Sequence, residues 1–378
     1  MRRLTRRRLT MRWASFRSAE GDRGAAALVA ILLSSGVIMA MAALGIDVGQ
    51  LYVERRQLQS GADAAALAVA QDAARACTAG TCAPAARAQE YADLNAADGA
   101  SAVLEVCGVG WAAVPACAGQ GTPELTRCAV PSAGVNHWVR VRTGTRTPGG
   151  ATLLPASFAR VLAGGAAGRP VFACGQAGWG APSSITATLP LALSLCEWTN
   201  YTANGTSYAP PPPYLTYPLS SERAIYYHDT TGAAHCGAGP SGADLPGGFG
   251  WLATGSGTCE AQINDQNWVN ASTGNAVPNQ CSSAALASML GTIVYVPVYD
   301  NANGLIGSNG SYHVSGFGAF FLTGFSFPGD RRNSIASGTR YCTPSQTCVY
   351  GWFTQGLAPT GATGTGVERG TASVQLVG

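Results

Sequence analysis

Two hydrophobic patterns follow each other in the N-terminal part of the chain. The first is an apolar run of 22 residues without a charge, from Ala25 to Ile46. An α-helix of that length spans about 33 Å, which is enough for a bilayer core of about 30 Å. We therefore predict that residues 25–46 form a transmembrane helix.

The second pattern is amphipathic and begins at Asp47. Apolar residues recur at steps of three and four, and polar residues occupy the other faces. This spacing predicts that the same helix continues in water over residues 47–76. A GxxxG motif, which allows close helix approach in lipid, raises the prospect of self-association. The predicted helix-packing residues are Gly45, Gly49, Leu51, Leu58, Ala62, Ala65 and Val69, and Asp47 marks the membrane exit.

Short strands separated by glycine, proline and asparagine replace the helical pattern beyond residue 76. We predict an α+β fold, in which the long transmembrane and amphipathic helix precedes a disulfide-rich, mostly antiparallel β ectodomain over 77–378. A loop-rich insertion is expected at about 200–282, held by disulfides rather than by a core of its own. The other predicted elements are helices over 85–95 and 157–162 and strands over 137–143, 185–195, 292–299, 312–327 and 373–377.

The distribution of charge predicts the orientation of the helix across the membrane. Residues 1–24 carry eight arginines against Glu20 and Asp22. The positive-inside rule then places this tip in the cytoplasm and the bulk of the chain outside the cell membrane. The arginines are thereby accounted for, so no nucleic-acid partner is expected. The alternative is a cleaved signal peptide ending at Ala40-Met41-Ala42, although the apolar run exceeds the usual length of about 7–15 residues.

The cysteines agree with this topology because all twelve follow the apolar run. An even number outside the cytoplasm favours six disulfides. Local pairs such as Cys77 with Cys82, or Cys342 with Cys348, are plausible, but the full connectivity stays open. The disulfide candidates are Cys77, Cys82, Cys107, Cys117, Cys128, Cys174, Cys196, Cys236, Cys259, Cys281, Cys342 and Cys348.

Motifs that carry chemistry are scarce. Residues 237–242 match the letters GxGxxG but lack the flanking strand and helix that dinucleotide binding needs. His228 and His235 offer a metal alternative, against which surface-loop histidines are favoured. We therefore predict no catalytic, cofactor-binding or metal residues, no cofactor, and no enzyme. Core packing is likewise favoured over a sugar-binding face for five tryptophans: Trp179, Trp198, Trp251, Trp268 and Trp352.

Two stretches resemble the N-terminal module of the TadE/TadG-like Flp pilus-assembly proteins. They run from Arg23 to Ala30 (RGAAALVA) and from Leu44 to Ala68 (LGIDVGQLYVERRQLQSGADAAALA). The most specific part has an aspartate at the membrane exit, then DVGxLYxxRRxLQ and ADAAALA. Later segments, such as residues 295–325, are similar to long actinobacterial TadG-like members.

The resemblance implies a role in the tight-adherence secretion system, which builds bundled surface pili. Other Tad components or pilins would then be the partners, together with the membrane. Two departures matter: Val29 stands where a prepilin peptidase site has glutamate five residues after Gly24, and no DxSxS metal site occurs. The predicted function is a structural or assembly component of such a pilus. The alternatives are a membrane-anchored adhesin or ligand-binding protein, and a cell-envelope hydrolase.

Overall fold

The structure is a computed structural model, in which the two sequence patterns of the N-terminal part form one helix. The helices are α1 (Asp22–Ala74), α2 (Pro84–Leu94), α3 (Leu195–Thr202) and α4 (Ser283–Ser288). The structure describes residues 22–75, 82–118, 128, 131, 135–154, 158, 168–227, 248–255, 257–265, 267–272, 276–303, 310–359, 363 and 366–377.

Strands make up most of the remaining regular structure. The first eight are β1 (Ser101–Val109), β2 (His137–Thr145), β3 (Phe172–Gly180), β4 (Ser184–Ala187), β5 (Leu191–Ser194), β6 (Arg223–Tyr226), β7 (Phe249–Leu252) and β8 (Ala261–Asn264). The other eight are β9 (Trp268–Ser272), β10 (Ile293–Asn303), β11 (Ser311–Phe327), β12 (Asp330–Arg332), β13 (Cys348–Thr354), β14 (Gly356–Leu357), β15 (Glu368–Arg369) and β16 (Thr371–Leu376).

By its contacts the chain divides into two compact units. The first comprises the residues up to Val53, which include the apolar half of α1, together with Leu154–Arg169. Within it, Leu154 and Arg169 form an antiparallel bridge, each amide bonding the other's carbonyl at 3.0 and 3.1 Å. The second unit comprises Glu54–Leu153 and Pro170–Gly378, and it holds both sheets and the second half of α1.

A five-stranded sheet in the second unit has the order β1-β2-β3-β16-β14. Its pairs are antiparallel except for β14 with β16. The alanine-rich end of α1 packs on this sheet, where Ala66 and Val69 share a buried cluster with Val139, Val141 and Ala177. The small side chains bring the helix backbone close to the strands.

A nine-stranded sheet carries the main core of the second unit. Its path is β10-β5-β7-β9-β11-β13-β6, and β10 also pairs with β11, so five strands close a hydrogen-bonded circuit. Strand β11 makes this possible because its 17 residues reach β9 with one end and β13 with the other. Phe249 and Trp251 of β7 are fully buried there, and the Trp251 ring lies 4.9 Å from that of Phe327.

The α+β prediction is confirmed, including the continuous first helix and the second helix. The strand predicted over 185–195 is instead two strands, β4 and β5, separated around Pro190, and α3 begins at Leu195. The helix predicted over 157–162 lies outside the described residues except for Phe158.

The stretch predicted as a loop-rich insertion differs more. It contributes β7 and β9 to the closed circuit and places Phe249 and Trp251 in the main core. The disulfide Cys259–Cys281 also crosses it. The strands escaped prediction because four residues such as Phe249–Leu252 are too few to show an alternating pattern.

Candidate functional site

The apolar half of α1 leaves its large side chains uncovered. In the described part of the chain, α1 is the one helix long and apolar enough to cross a membrane. The exposed apolar residues include Leu28, Ile31, Leu32, Leu33, Val37, Ile38, Met39, Met41, Leu44 and Ile46. A soluble protein rarely exposes so large a continuous apolar surface. This half of α1 therefore fits a single-pass membrane anchor.

Asp47, predicted as the membrane exit, is tied to a distant segment of the first unit. The backbone amide of Phe158 donates to both carboxylate oxygens of Asp47, at 3.1 and 3.2 Å. Asp47 is only 8 % exposed, as is Ala43 one turn earlier on the same face. The two partners are 111 positions apart, and no sequence signal connected them.

Gly45 and Gly49, which form the GxxxG motif, have no close neighbours among the described residues. A Cβ built on either glycine meets none of their atoms within 4 Å. In the part of the chain that the structure describes, the motif is therefore uncovered, as a helix–helix contact site requires. Self-association through it stays a prediction.

The predicted packing residues further along α1 are covered by the chain itself. Leu58 packs with Ala62 and Ala173, while Ala65 and Val69 lie under the five-stranded sheet. Leu51 is half-buried. Contact of this stripe with pilins or other copies of the chain stays a prediction, and it would require α1 to leave the sheet.

Hydrogen bonds fix the register between α1 and the sheet. The Thr143 hydroxyl donates to the Leu58 carbonyl at 2.9 Å, and the Gln59 side-chain amide donates to the Cys174 carbonyl at 2.7 Å. Gly175 is the point of closest approach, since a side chain there would collide with the backbone of Ala62. A glycine inside a strand often marks such an approach, which is the signal that could have found it.

Two acidic residues of α1 lie at the edge of this packed surface. Burial raises the pKa of Glu54, and a hydrogen bond with Thr145 partly opposes the shift. Burial also raises the pKa of Asp63, against a hydrogen bond from Gln59. The raised pKa values reflect the cost of moving these two carboxylates partly out of water, which the packing of α1 on the sheet must offset.

A buried carboxylate in the second unit, that of Glu222, has several hydroxyl partners. Glu222 accepts hydrogen bonds from the hydroxyls of Thr323, Ser334 and Tyr341 at 2.5, 2.5 and 2.7 Å. Burial by itself would raise its pKa, but these hydroxyls, led by Ser334, hold the pKa of Glu222 below its usual value. The cluster joins the residue just before β6 to β11 and to the segment after β12, so we interpret it as structural.

Disulfides brace the second unit at several points. The pairs are Cys107–Cys117, Cys128–Cys174, Cys259–Cys281 and Cys342–Cys348, the last of which confirms a predicted local pair. Cys82 and Cys196 are also disulfide-bonded. Cys77 and Cys236, and with them the predicted Cys77–Cys82 pair, lie outside the described residues.

Both described histidines have structural partners. His137 stacks on Trp179, with ring centroids 5.8 Å apart, and the His313 Nδ1 lies 2.7 Å from Asp300. Across the residues that the structure describes, no group of three or more His, Cys, Asp or Glu side chains is placed to hold a metal. His228, His235 and the GxGxxG stretch lie outside those residues. The absence of an enzymatic activity stays a prediction.

The tryptophans do not share one face. Trp179, Trp198, Trp251 and Trp352 are buried, whereas Trp268 is 49 % exposed. The four buried tryptophans therefore pack in the interior of the protein, which is the arrangement favoured from the sequence.

A surface cavity of about 680 Å³ lies beside the buried Trp352. This volume is within the usual range of small-molecule sites. The described lining is polar, contains no carboxylate, and has Arg223 as its one cation. Its other polar groups are Asn200, Tyr201, Ser207, Tyr208, Ser220 and Ser221.

Comparison with known families identifies the N-terminal module. The model of the family described as putative Flp pilus-assembly TadE/G-like matches residues 24–72. These residues coincide almost fully with α1. They include Asp47, the GxxxG motif, and the alanines Ala62 and Ala65, which pack against the five-stranded sheet. The predicted resemblance is confirmed for this segment. No match was found among curated proteins or among solved structures.

Proposed function

We propose that the chain is a membrane-anchored structural or assembly component of a Flp/Tad-type pilus. The observation that carries the proposal is the family match over residues 24–72, which falls on a helix with an exposed apolar half and a seated amphipathic half. The helix α1 thereby connects the proposed membrane anchor to the β-rich unit. Such a connection suits a component that holds a folded domain at the base of a filament.

The topology follows from charge and disulfides. Residues 1–24 would lie in the cytoplasm, 25–46 would span the membrane, and 47–76 with 77–378 would lie outside. The arginines support this direction by the positive-inside rule. The disulfides support it because they persist in oxidising compartments.

Val29 favours an anchored assembly factor over a minor pilin, because the prepilin peptidase signal has glutamate at that position. Shear fractionation of piliated cells, with N-terminal sequencing of the recovered chain, tests the proposal. We expect the chain in the membrane fraction with Arg2 retained. Recovery from sheared filaments with a new N-terminus near Gly24 would make it a minor pilin, and recovery only as soluble protein in the medium would contradict the anchor.

The cavity supports a second candidate, a membrane-anchored adhesin or ligand-binding protein. The described lining has one guanidinium among hydroxyls and an amide, and no acidic group. This combination suits a ligand with hydroxyls and a negative charge, such as an acidic saccharide. Binding of the full chain in detergent to immobilised acidic and neutral glycans tests this. Arg223→Ala should remove selective binding to acidic glycans, and equal binding by the variant would reject the cavity as the site.

A further inference from the structure

A surface cavity lined by the end of β7, by β8 and by β9 carries a further inference. It has a volume of about 520 Å³, and its described lining comprises residues 252–253, 261–264 and 267–270. This volume is within the usual range of ligand sites. The cavity shares no described lining residue with the cavity beside Trp352, so the two can be tested separately.

The pleat of β8 presents polar side chains to this cavity. Side chains alternate between the two faces of a strand. Ala261 and Ile263 are buried in a cluster with Leu252, whereas Gln262 and Asn264 are exposed. Two more exposed amides come from β9 and from the residue just before it. The four exposed amide side chains of the lining are Gln262, Asn264, Asn267 and Asn270.

Trp268 of β9 adds one aromatic ring to the lining, and this residue is 49 % exposed. His313 of β11 pairs with it across the strands, and their ring centroids are 5.4 Å apart. The His313 Nδ1 in turn lies 2.7 Å from an Asp300 carboxylate oxygen. The Trp268 ring is thus supported by an ordered neighbour while about half of the residue stays open. A side chain held in this way loses little conformational entropy when a ligand binds.

The chemistry of the lining restricts what could bind. The described lining has no charged side chain, so a charged ligand would meet no opposite charge there. Each Asn or Gln amide offers two donor hydrogens and an acceptor oxygen. The structure records no hydrogen bond from the four amide side chains to other described residues. A wholly apolar ligand would cover these amides without satisfying them, which is costly. The cavity therefore suits an uncharged ligand that combines hydroxyl groups with an apolar face.

We propose that this cavity binds a neutral saccharide. The apolar C–H face of one sugar ring packs on the Trp268 ring, and the hydroxyls of the sugar exchange hydrogen bonds with Gln262 and Asn264. A hydroxyl is both a donor and an acceptor, as the amides require. This inference goes beyond the proposed role in a pilus and does not depend on the membrane anchor.

Glycan binding by the full chain, in a detergent that carries no sugar, tests the proposal. The wild-type chain and Arg223→Ala are applied to an array of neutral and acidic glycans at low and high salt. We expect both chains to bind neutral glycans equally, and salt to leave this binding unchanged because no charge is involved. No binding to neutral glycans would overturn the proposal. Binding to acidic glycans alone, lost in Arg223→Ala, would overturn it too and would assign recognition to the cavity beside Trp352.

Replacement of Trp268 locates the site. Trp268→Ala should weaken binding of the neutral glycan that binds best by about tenfold or more, because it removes the aromatic anchor. Trp268→Phe, which keeps a ring, should recover part of the loss. Leu215→Ala is the matched control, since Leu215 is a fully exposed apolar residue outside the cavity, and it should bind like wild type.

Gln262→Ala keeps the proposal testable if Trp268→Ala fails to fold, because the exposed Gln262 side chain has no part in the core. Loss of its hydrogen bond to the sugar should weaken binding by about 2- to 10-fold. Full affinity in a folded Trp268→Ala, or in Gln262→Ala where Trp268→Ala is unfolded, would overturn the site.

Discussion

Replacing Gly175 by alanine probes the seating of α1 on the sheet. The added methyl group would collide with the backbone of Ala62, which cannot move aside without shifting the helix. A shift also strains the 2.9 Å bond from Thr143 to the Leu58 carbonyl. Overpacking of this kind costs about 1–3 kcal/mol. The equilibrium constant for opening of α1 should therefore rise by about 5- to 150-fold.

Hydrogen exchange of the full chain in detergent measures that opening directly. Amides of the seated part of α1, from Leu58 to Ala73, should exchange faster in Gly175→Ala by the same factor. Gly255→Ala is the matched control, because its added methyl meets only the Thr258 hydroxyl at an ordinary 3.6 Å. The control should leave exchange unchanged. Equal protection of α1 in Gly175→Ala and wild type would refute the close approach of α1 to β3.

Three further perturbations test the second unit. Glu222→Gln should cost about 1–3 kcal/mol at pH 7. Because the folded pKa of Glu222 lies below its unfolded value of about 4.3, its contribution is present above that pH. The difference between wild type and variant in urea unfolding should therefore shrink as the pH falls below about 4, and a constant difference would contradict the assignment. Replacing Cys259 and Cys281 together by serine opens a loop of 22 residues and should lower stability by about 3 kcal/mol, measured by the unfolding midpoint. Leu58→Asp should cost about 3 kcal/mol or more, since it buries a carboxylate against Ala173, and a normal midpoint would show that this site is open to solvent.

The first helix was predictable because its pattern is long. A charge-free run followed by apolar steps of three and four leaves little choice of structure over the 53 residues of α1. The same pattern also gave the inward-facing residues Leu58, Ala62, Ala65 and Val69. What they pack against was not predictable, because an alanine stripe suits a sheet of the same chain and a neighbouring helix equally well.

The sheets were harder to predict, for reasons visible in particular strands. The strand β3, Phe172–Gly180 (FACGQAGWG), is rich in glycine and alanine, and its Gly175 lies against the backbone of α1. Because small residues fill the strand, it lacks the alternation of apolar and polar residues that marks a strand in sequence. The closed circuit depends on non-local pairs such as β9 with β11, which no local pattern encodes. The bond from Phe158 to Asp47 uses a backbone amide, so it leaves no trace in the side-chain sequence.

If the anchored chain is needed to build a pilus, the yield of filaments should depend on it. The measurement is the amount of pilin in the shear fraction of cells with the gene deleted in frame, complemented either by the full chain or by a chain with an unrelated helix in place of residues 24–72. We expect that deletion abolishes filaments, that the full chain restores them, and that the chain with the foreign helix does not. Unchanged filament yield after deletion would show that the chain is not a component needed for the pilus.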